Sequence, residues 1–412
     1  MKDFNEKYWI KLSVLSLLIV AFFGALMRYK IGFEFPYFNQ KNLQHAHSHF
    51  AFSGWITQTI WLFLIIFIKQ NISLQRLHAY VKLLAANLLC SYAMLFSFTI
   101  QGYGVVSITF STLSIALNLW FLVLYFHDLK YVEAGHPAKK YFKVALLFNA
   151  LSALGTFALS YMMATKQLSQ YLYLSSVYWY LHFQYNGWFL FACFGLFLVF
   201  VKQLLPHYKH SKNIFYFFVI SCVPAYGLSI LWLKLPFWLY SIIILAAVAQ
   251  FIGWIKFLFE LKLHSFIGKN NIKQLPNVLF AIIALAITIK LTLQLGSTIP
   301  VVSTLAFGFR PIVIAYLHLV FLLIISLFLI NYAVVNEYIY LNSGAKIGLL
   351  FFVFGIAMNE LMLAMQGIAS FSYTLIPYAN EVLFSVSLLT LLGLVILLLS
   401  QYYKPENNIV KL

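Results

Sequence analysis

The residues of this 412-residue chain best suited to chemistry are histidines set in apolar surroundings. His45, His47 and His49 alternate in the run Gln44-His45-Ala46-His47-Ser48-His49, and His182 and His318 stand alone in later apolar runs. Large apolar residues follow His49, His182 and His318. The local sequences are His49-Phe50-Ala51-Phe52-Ser53-Gly54-Trp55, His182-Phe183-Gln184-Tyr185-Asn186-Gly187-Trp188 and His318-Leu319-Val320-Phe321. A neutral imidazole offers one ring nitrogen to a metal and is a common axial ligand of heme iron. A histidine followed by aromatics and a glycine suits a flat ring laid against a helix: the glycine leaves room and the aromatics line the edges. Arg28 and Arg310 carry guanidinium forks, which match carboxylates such as heme propionates. Simple anchoring at a membrane interface is the other reading of these two arginines.

A second polar group lies in later apolar runs. Asn359 and Glu360 sit together, with Gln366 two turns on, and Lys290 falls inside the preceding odd-numbered run. A charge in a lipid-spanning segment is costly, so Glu360 is a candidate proton-relay or substrate-site group with Lys290 as its partner. A polar clamp between helices is the competing reading.

These residues need a scaffold, and composition dictates which one. The chain is 63% hydrophobic and 9% charged, with a mean hydropathy of +0.88. A soluble protein of this length needs more charge to cover its surface. The apolar residues come in runs of about twenty, the length a helix needs to cross hydrocarbon, and these runs are continuous rather than alternating. Twelve spans are expected, over 10–29, 47–68, 79–101, 104–127, 141–163, 174–201, 213–233, 237–260, 275–294, 312–336, 346–369 and 381–401. The fold class is therefore all-α, one transmembrane domain over 1–412, with the first span read as a retained helix. Pro36, Pro206, Pro236, Pro300 and Pro377 fall between spans. Pro224 falls inside the seventh and predicts a kink.

The net charge of +17 is spread over short loops, which reads as topology and anionic-lipid contact and not as nucleic-acid binding. Of 27 Lys and Arg, twenty fall on one side, including Lys2, Lys269, Lys273, Lys404 and Lys411. Only Arg28, Lys30, Lys41, Lys166, Lys234 and Arg310 fall on the other. The bias puts both termini in the cytoplasm of a multi-pass protein of a bacterial inner membrane. Cys90, Cys193 and Cys222 lie in separate runs without CxxC spacing, so neither disulfides nor a zinc site is expected. His78, His127, His136, His207, His210 and His264 fall in or beside cytoplasmic loops and read as surface residues.

Alternation along twelve spans brings the histidines together. Spans two, six and ten all run from outside to inside, and each carries its histidine in its first half. His49, His182 and His318 are thus expected at one depth in the outer leaflet.

Twelve spans with histidines early in spans two, six and ten resemble the catalytic subunit of the heme-copper oxidase superfamily, which includes the nitric oxide reductases. The resemblance implies an oxidase-like bundle in which a second-span histidine and a tenth-span histidine hold a low-spin heme b from both faces. His49 matches the first, with His47 the alternative, and His318 matches the second. It implies a metal, copper or non-heme iron, at His182, since the sixth span resembles that of the nitric oxide reductases. The match is incomplete. The seventh span lacks the family's His-His pair, Tyr316 stands where a ligand for a second heme is expected, and Asn186 stands at the place of an acidic residue. A complete dinuclear centre is not expected; the alternative is that His182 and Tyr316 define a second, remodelled metal or heme site, since tyrosine is a known axial ligand type. What the resemblance implies is a b-type heme protein in respiratory electron transfer or nitric oxide- or oxygen-linked redox chemistry, with a quinol or a cytochrome as donor. The chain also looks like other small twelve-span membrane heme proteins linked to nitric oxide tolerance. The competing functions are a secondary transporter coupled through Glu360 and Lys290, and a non-catalytic heme sensor or assembly factor.

Overall fold

In the computed structural model, residues 4–166, 169–263 and 274–402 are described; Lys2, Lys269, Lys273, Lys404, Lys411 and His264 lie outside them. The described residues are helical throughout, without a strand. Among the described residues eleven helices are long and apolar enough to cross a bilayer, and there are twelve spans if one bent pair is counted as a single span. In order they are Glu6–Gly32, Gln40–Asn71, Leu74–Gln101, Val105–Tyr131, Ala138–Thr165 and Gln170–Leu204. Then come the bent pair Lys212–Cys222 with Pro224–Ile230, Phe237–Lys262, Gln274–Gly296, Arg310–Val335, Ser343–Phe371 and Ala379–Ser400. The bend in the seventh span is 44° and falls at Pro224, where the ring removes a backbone donor, as expected. Polar side chains cap the starts. Asn5 accepts from the Tyr8 N–H at 3.0 Å, and Asn342 accepts from the Ala345 N–H at 2.8 Å. A bilayer is the only surrounding that suits so many apolar faces turned outward.

Spans adjacent in sequence pack against each other, and the twelfth closes onto the first. The second and sixth spans are the most enclosed. Three arcs of three helices surround the central second, sixth and tenth spans. Spans eleven, twelve and one flank the side between ten and two. Spans three, four and five flank that between two and six, and spans seven, eight and nine that between six and ten.

The three central spans share a departure from α geometry. Each turns π-helical one or two residues after its histidine: Ala51–Thr57 after His49, Phe183–Phe189 after His182, and Leu319–Ser326 after His318. A π turn is wider and rotates everything beyond it relative to a straight α-helix, and such turns gather at functional sites. Indole donors tie the wide segments together. Trp188 Nε1 donates to Thr57 Oγ1 at 3.3 Å, and Trp55 Nε1 donates to Ser326 Oγ at 2.8 Å. Phe52 fills the middle, 4.8 Å from the Phe321 ring and 5.6 Å from Phe189. Side-chain hydroxyls take up backbone carbonyls there: Ser53 donates to His49 O at 2.8 Å and Thr59 to Trp55 O at 2.6 Å.

The outer arc holds by close backbone approach. A Cβ added at Gly393 would sit 2.5 Å from Phe352 N, and one at Gly348 would sit 2.7 Å from Gly393 O. Small residues let two spans touch where lipid supplies no hydrophobic force between them. At the basic end, buried Asp128 accepts from Arg76 at 3.0 Å and from the Tyr80 hydroxyl at 2.8 Å, and Lys69 pairs with Glu6. His210 corrects the surface reading given to it. It is buried, with Nδ1 2.8 Å from Glu260 and Nε2 2.9 Å from the Tyr141 hydroxyl. The loop histidine is drawn in because the carboxylate and phenol sit on helix ends facing the bundle.

The Gly393 contact has a direct test. Gly393→Leu forces spans eleven and twelve apart and lowers the thermal unfolding temperature in detergent, consistent with an overpacking cost of about 1–3 kcal/mol. Gly296→Ala, where an added Cβ meets nothing within 4 Å, leaves the temperature unchanged.

Candidate functional site

The alternating histidines of the second span divide between two faces, because residues two apart on a helix point in nearly opposite directions. His47 turns toward the first span. Its Nδ1 lies 3.0 Å from the Val20 carbonyl, and its Cε1 lies 3.5 Å from where a Gly24 Cβ would stand. A carbonyl can only accept, so Nδ1 carries the proton and the Nε2 lone pair is left for another partner. His49 turns toward the third span instead, stacked on Phe98 at 4.3 Å and 13°.

His47, not His49, is therefore the second-span residue near the tenth-span histidine. His318 lies within electrostatic range of His47 and of Arg28. Asn359 of the eleventh span stands between His318 and Glu360, with its Nδ2 3.4 Å from His318 Nδ1 and 3.1 Å from Glu360 Oε1. Arg28 lies within electrostatic range of Glu360 and of Arg310. Six of the singled-out residues thus gather between the tenth and second spans: Arg28, His47, Arg310, His318, Asn359 and Glu360. Arg28 is half-buried and, among the described residues, makes no hydrogen bond or ion pair at contact distance. Arg310 is exposed at the start of its span. Two guanidinium groups near one carboxylate leave an excess of positive charge on this side.

His182 belongs to a different cluster, between the sixth and tenth spans. Its Nε2 lies 2.8 Å from the Cys222 carbonyl, and Asn186 Nδ2 lies 3.1 Å from its Nδ1. Pro224 breaks the seventh span there, and a carbonyl near the break takes its hydrogen bond from His182. Both ring nitrogens are engaged, so this arrangement leaves no lone pair for the metal expected at His182. Tyr316 faces the same side, its ring 6.2 Å from Tyr185. Lys290 is buried nearby, within electrostatic range of Cys222 and His182, and donates to Gln294 Oε1 at 2.8 Å.

The expected pairing of Lys290 with Glu360 is not formed. No ion pair joins them among the described residues, and each has its own partner in a different cluster. Gln366 is half-buried toward the C-terminal end of its span, with no side-chain partner among the described residues. The glycines after the histidines do not leave open slots: Phe50 covers Gly54 and Phe148 covers Gly187, each 2.6 Å from an added Cβ. Gln58 and Gln184 clamp neighbouring spans, through Asn87 at 2.7 Å and Asn149 at 2.9 Å. A cavity of about 200 Å³ opens between spans six, eight, nine and ten. Phe194, Phe197, Trp254 and Phe280 line it with one amide, Asn277, away from the histidines.

The Val20 carbonyl and Gly24 carried no signal in the sequence, because a backbone acceptor is invisible there and the glycine lies in another span. Asn359 was visible only as a neighbour of Glu360. No protein-family model matches the chain, and no curated protein is similar to it.

Lys290 is a buried ammonium with one hydrogen bond, so removing its partner should cost more than removing the charge. Gln294→Leu lowers stability by about 1–3 kcal/mol in detergent unfolding, whereas Lys290→Met is neutral or stabilising. A steep loss in Lys290→Met alone contradicts this.

Proposed function

We propose that the chain is a membrane-embedded b-type heme protein of one heme, held between His47 of the second span and His318 of the tenth. The observation that carries this reading is the gathering of two histidines and two arginines between those spans, within electrostatic range of one another. The residues fit such a group. His47 Nδ1 is spoken for by Val20, which orients the ring and leaves Nε2 as the ligating atom. His318 Nε2 has no hydrogen bond among the described residues, and ligation through it requires the proton on Nδ1, with the Asn359 amide turned so that its oxygen faces the ring. Arg28 and Arg310 bring the positive charge that two propionates require, and the half-buried Arg28 makes no hydrogen bond among the described residues. A heme with both axial positions filled carries single electrons and does not readily take up a gas.

The chain's own groups then have defined work. Val20 and Asn359 fix the imidazole planes. Glu360, beside Arg28 and Asn359, balances charge and holds or releases a proton when the charge at the site changes. The aromatic centre around Phe52 and Phe321 keeps water from crossing the bundle. The reading keeps the oxidase-like bundle and respiratory or nitric oxide-linked redox context implied by the resemblance, in a bacterial inner membrane, with a quinol or a cytochrome as donor. It assigns no second metal, because His182 caps the seventh span. Nothing in the geometry favours a transporter coupled through Lys290 and Glu360, which lie in separate clusters.

Oxidised and reduced absorption spectra of protein expressed with ample heme test this. Wild type shows a low-spin b-type spectrum. His47→Ala and His318→Ala each abolish it or convert it to high spin, while His49→Ala and His182→Ala retain it. A colourless wild type, or a spectrum lost in His49→Ala and kept in His47→Ala, overturns the assignment.

A further inference from the structure

The heme reading uses one of the three alternating histidines and leaves two on the opposite face of the helix. His45 and His49 are four residues apart, so their side chains stand one above the other with Cβ atoms roughly 5–6 Å apart. Each lies within electrostatic range of the other. Both face the tight turn between the third and fourth spans. The His45 ring centroid is 4.6 Å from that of Tyr103, and His49 Nε2 is 3.3 Å from the Tyr103 hydroxyl. Phe98 stacks on His49 and fixes its plane.

The turn is held in place by close contact. Gly102 has φ +62°, a conformation that favours glycine, and a Cβ there would stand 2.5 Å from Asn42 Oδ1. Tyr103 is thereby pressed toward the second span while 47% of its surface stays exposed. One atom of the group lacks a partner among the described residues: His45 Nε2 is buried without a hydrogen bond. A buried polar nitrogen left unpaired costs on the order of 1–3 kcal/mol, so something that takes its lone pair or its proton is stabilising there.

We propose that His45, His49 and the Tyr103 hydroxyl form an outward-opening site for one imidazole-preferring divalent transition metal ion of the copper or zinc type. Two histidines at i and i+4 on one helix face are a chelating pair, as in the HExxH zinc helix. Nitrogen donors select copper, zinc and nickel over magnesium and calcium, with copper the tightest of the divalent series. No group of three His, Cys, Asp or Glu converges among the described residues, so the site supplies two nitrogens and one phenol oxygen, and water completes the shell. Lys41, one turn before His45 on the same face, lies within electrostatic range and opposes a cation, which weakens the site without blocking it.

The site is on the other face of the helix from His47, and its test does not need pigment. Full-length protein in detergent is stripped with a chelator and titrated with Cu²⁺, then with Zn²⁺, following heat and the Cu²⁺ electron paramagnetic resonance spectrum. Wild type binds one ion with a signal from nitrogen ligands. His45→Gln and His49→Gln each weaken binding by at least about tenfold, the scale seen even for outer-shell ligand partners. Tyr103→Phe weakens it less, Lys41→Gln tightens it, and His47→Gln leaves it unchanged. Thermal unfolding of each variant without metal separates loss of the site from loss of the fold. Binding that survives in the folded double variant His45→Gln/His49→Gln, or that disappears in His47→Gln, overturns the proposal.

Discussion

The structure depends on three π-helical segments meeting at the centre of the bundle. Each begins one or two residues after a histidine, and indole-to-hydroxyl bonds tie them through Trp188 to Thr57 and Trp55 to Ser326. A straight α-helix keeps one face inward along its length, with 3.6 residues per turn. The wider turns rotate the later part of each span relative to the part bearing the histidine. The histidine-bearing halves can then face the gaps between central spans while the segments beyond them interlock around Phe52 and Phe321. Two needs that conflict on a regular helix are thus met on one.

From that constraint follows the separation of the polar residues into compartments. The side bounded by spans eleven, twelve and one gathers positive charge and two imidazoles. The side bounded by seven, eight and nine holds His182, Lys290 and the broken seventh span. The side bounded by three, four and five holds amide clamps and the outer pair His45 and His49. Each compartment meets its buried polar groups with a different chemistry, which is why residues that look alike in the sequence end up with unlike tasks.

Much of this was legible in the residues. Run length located the spans, Pro224 located the bend, and alternation put the histidines of spans two, six and ten at one end. The choice between His47 and His49 was not legible. Three alternating histidines cover two faces, and only the position of the first span decides which face looks toward His318. The acceptor for His47 is the Val20 carbonyl, a group every residue carries, so no pattern marks it. The pairing of Lys290 with Glu360 was reasonable by charge and failed by place, since the ninth and eleventh spans sit in different arcs. Buried His210 was hidden because its carboxylate partner lies fifty residues away.

The central claim is that the second span turns His47, and not His49, toward the tenth. Paired cysteines measure this without any cofactor. In a background with Cys90, Cys193 and Cys222 replaced by alanine, His47→Cys with His318→Cys is compared with His49→Cys with His318→Cys. Both are exposed in membranes to a short bifunctional thiol reagent. The account predicts rapid linkage of the 47/318 pair and little of the 49/318 pair. Equal linkage, or faster linkage of 49/318, contradicts it.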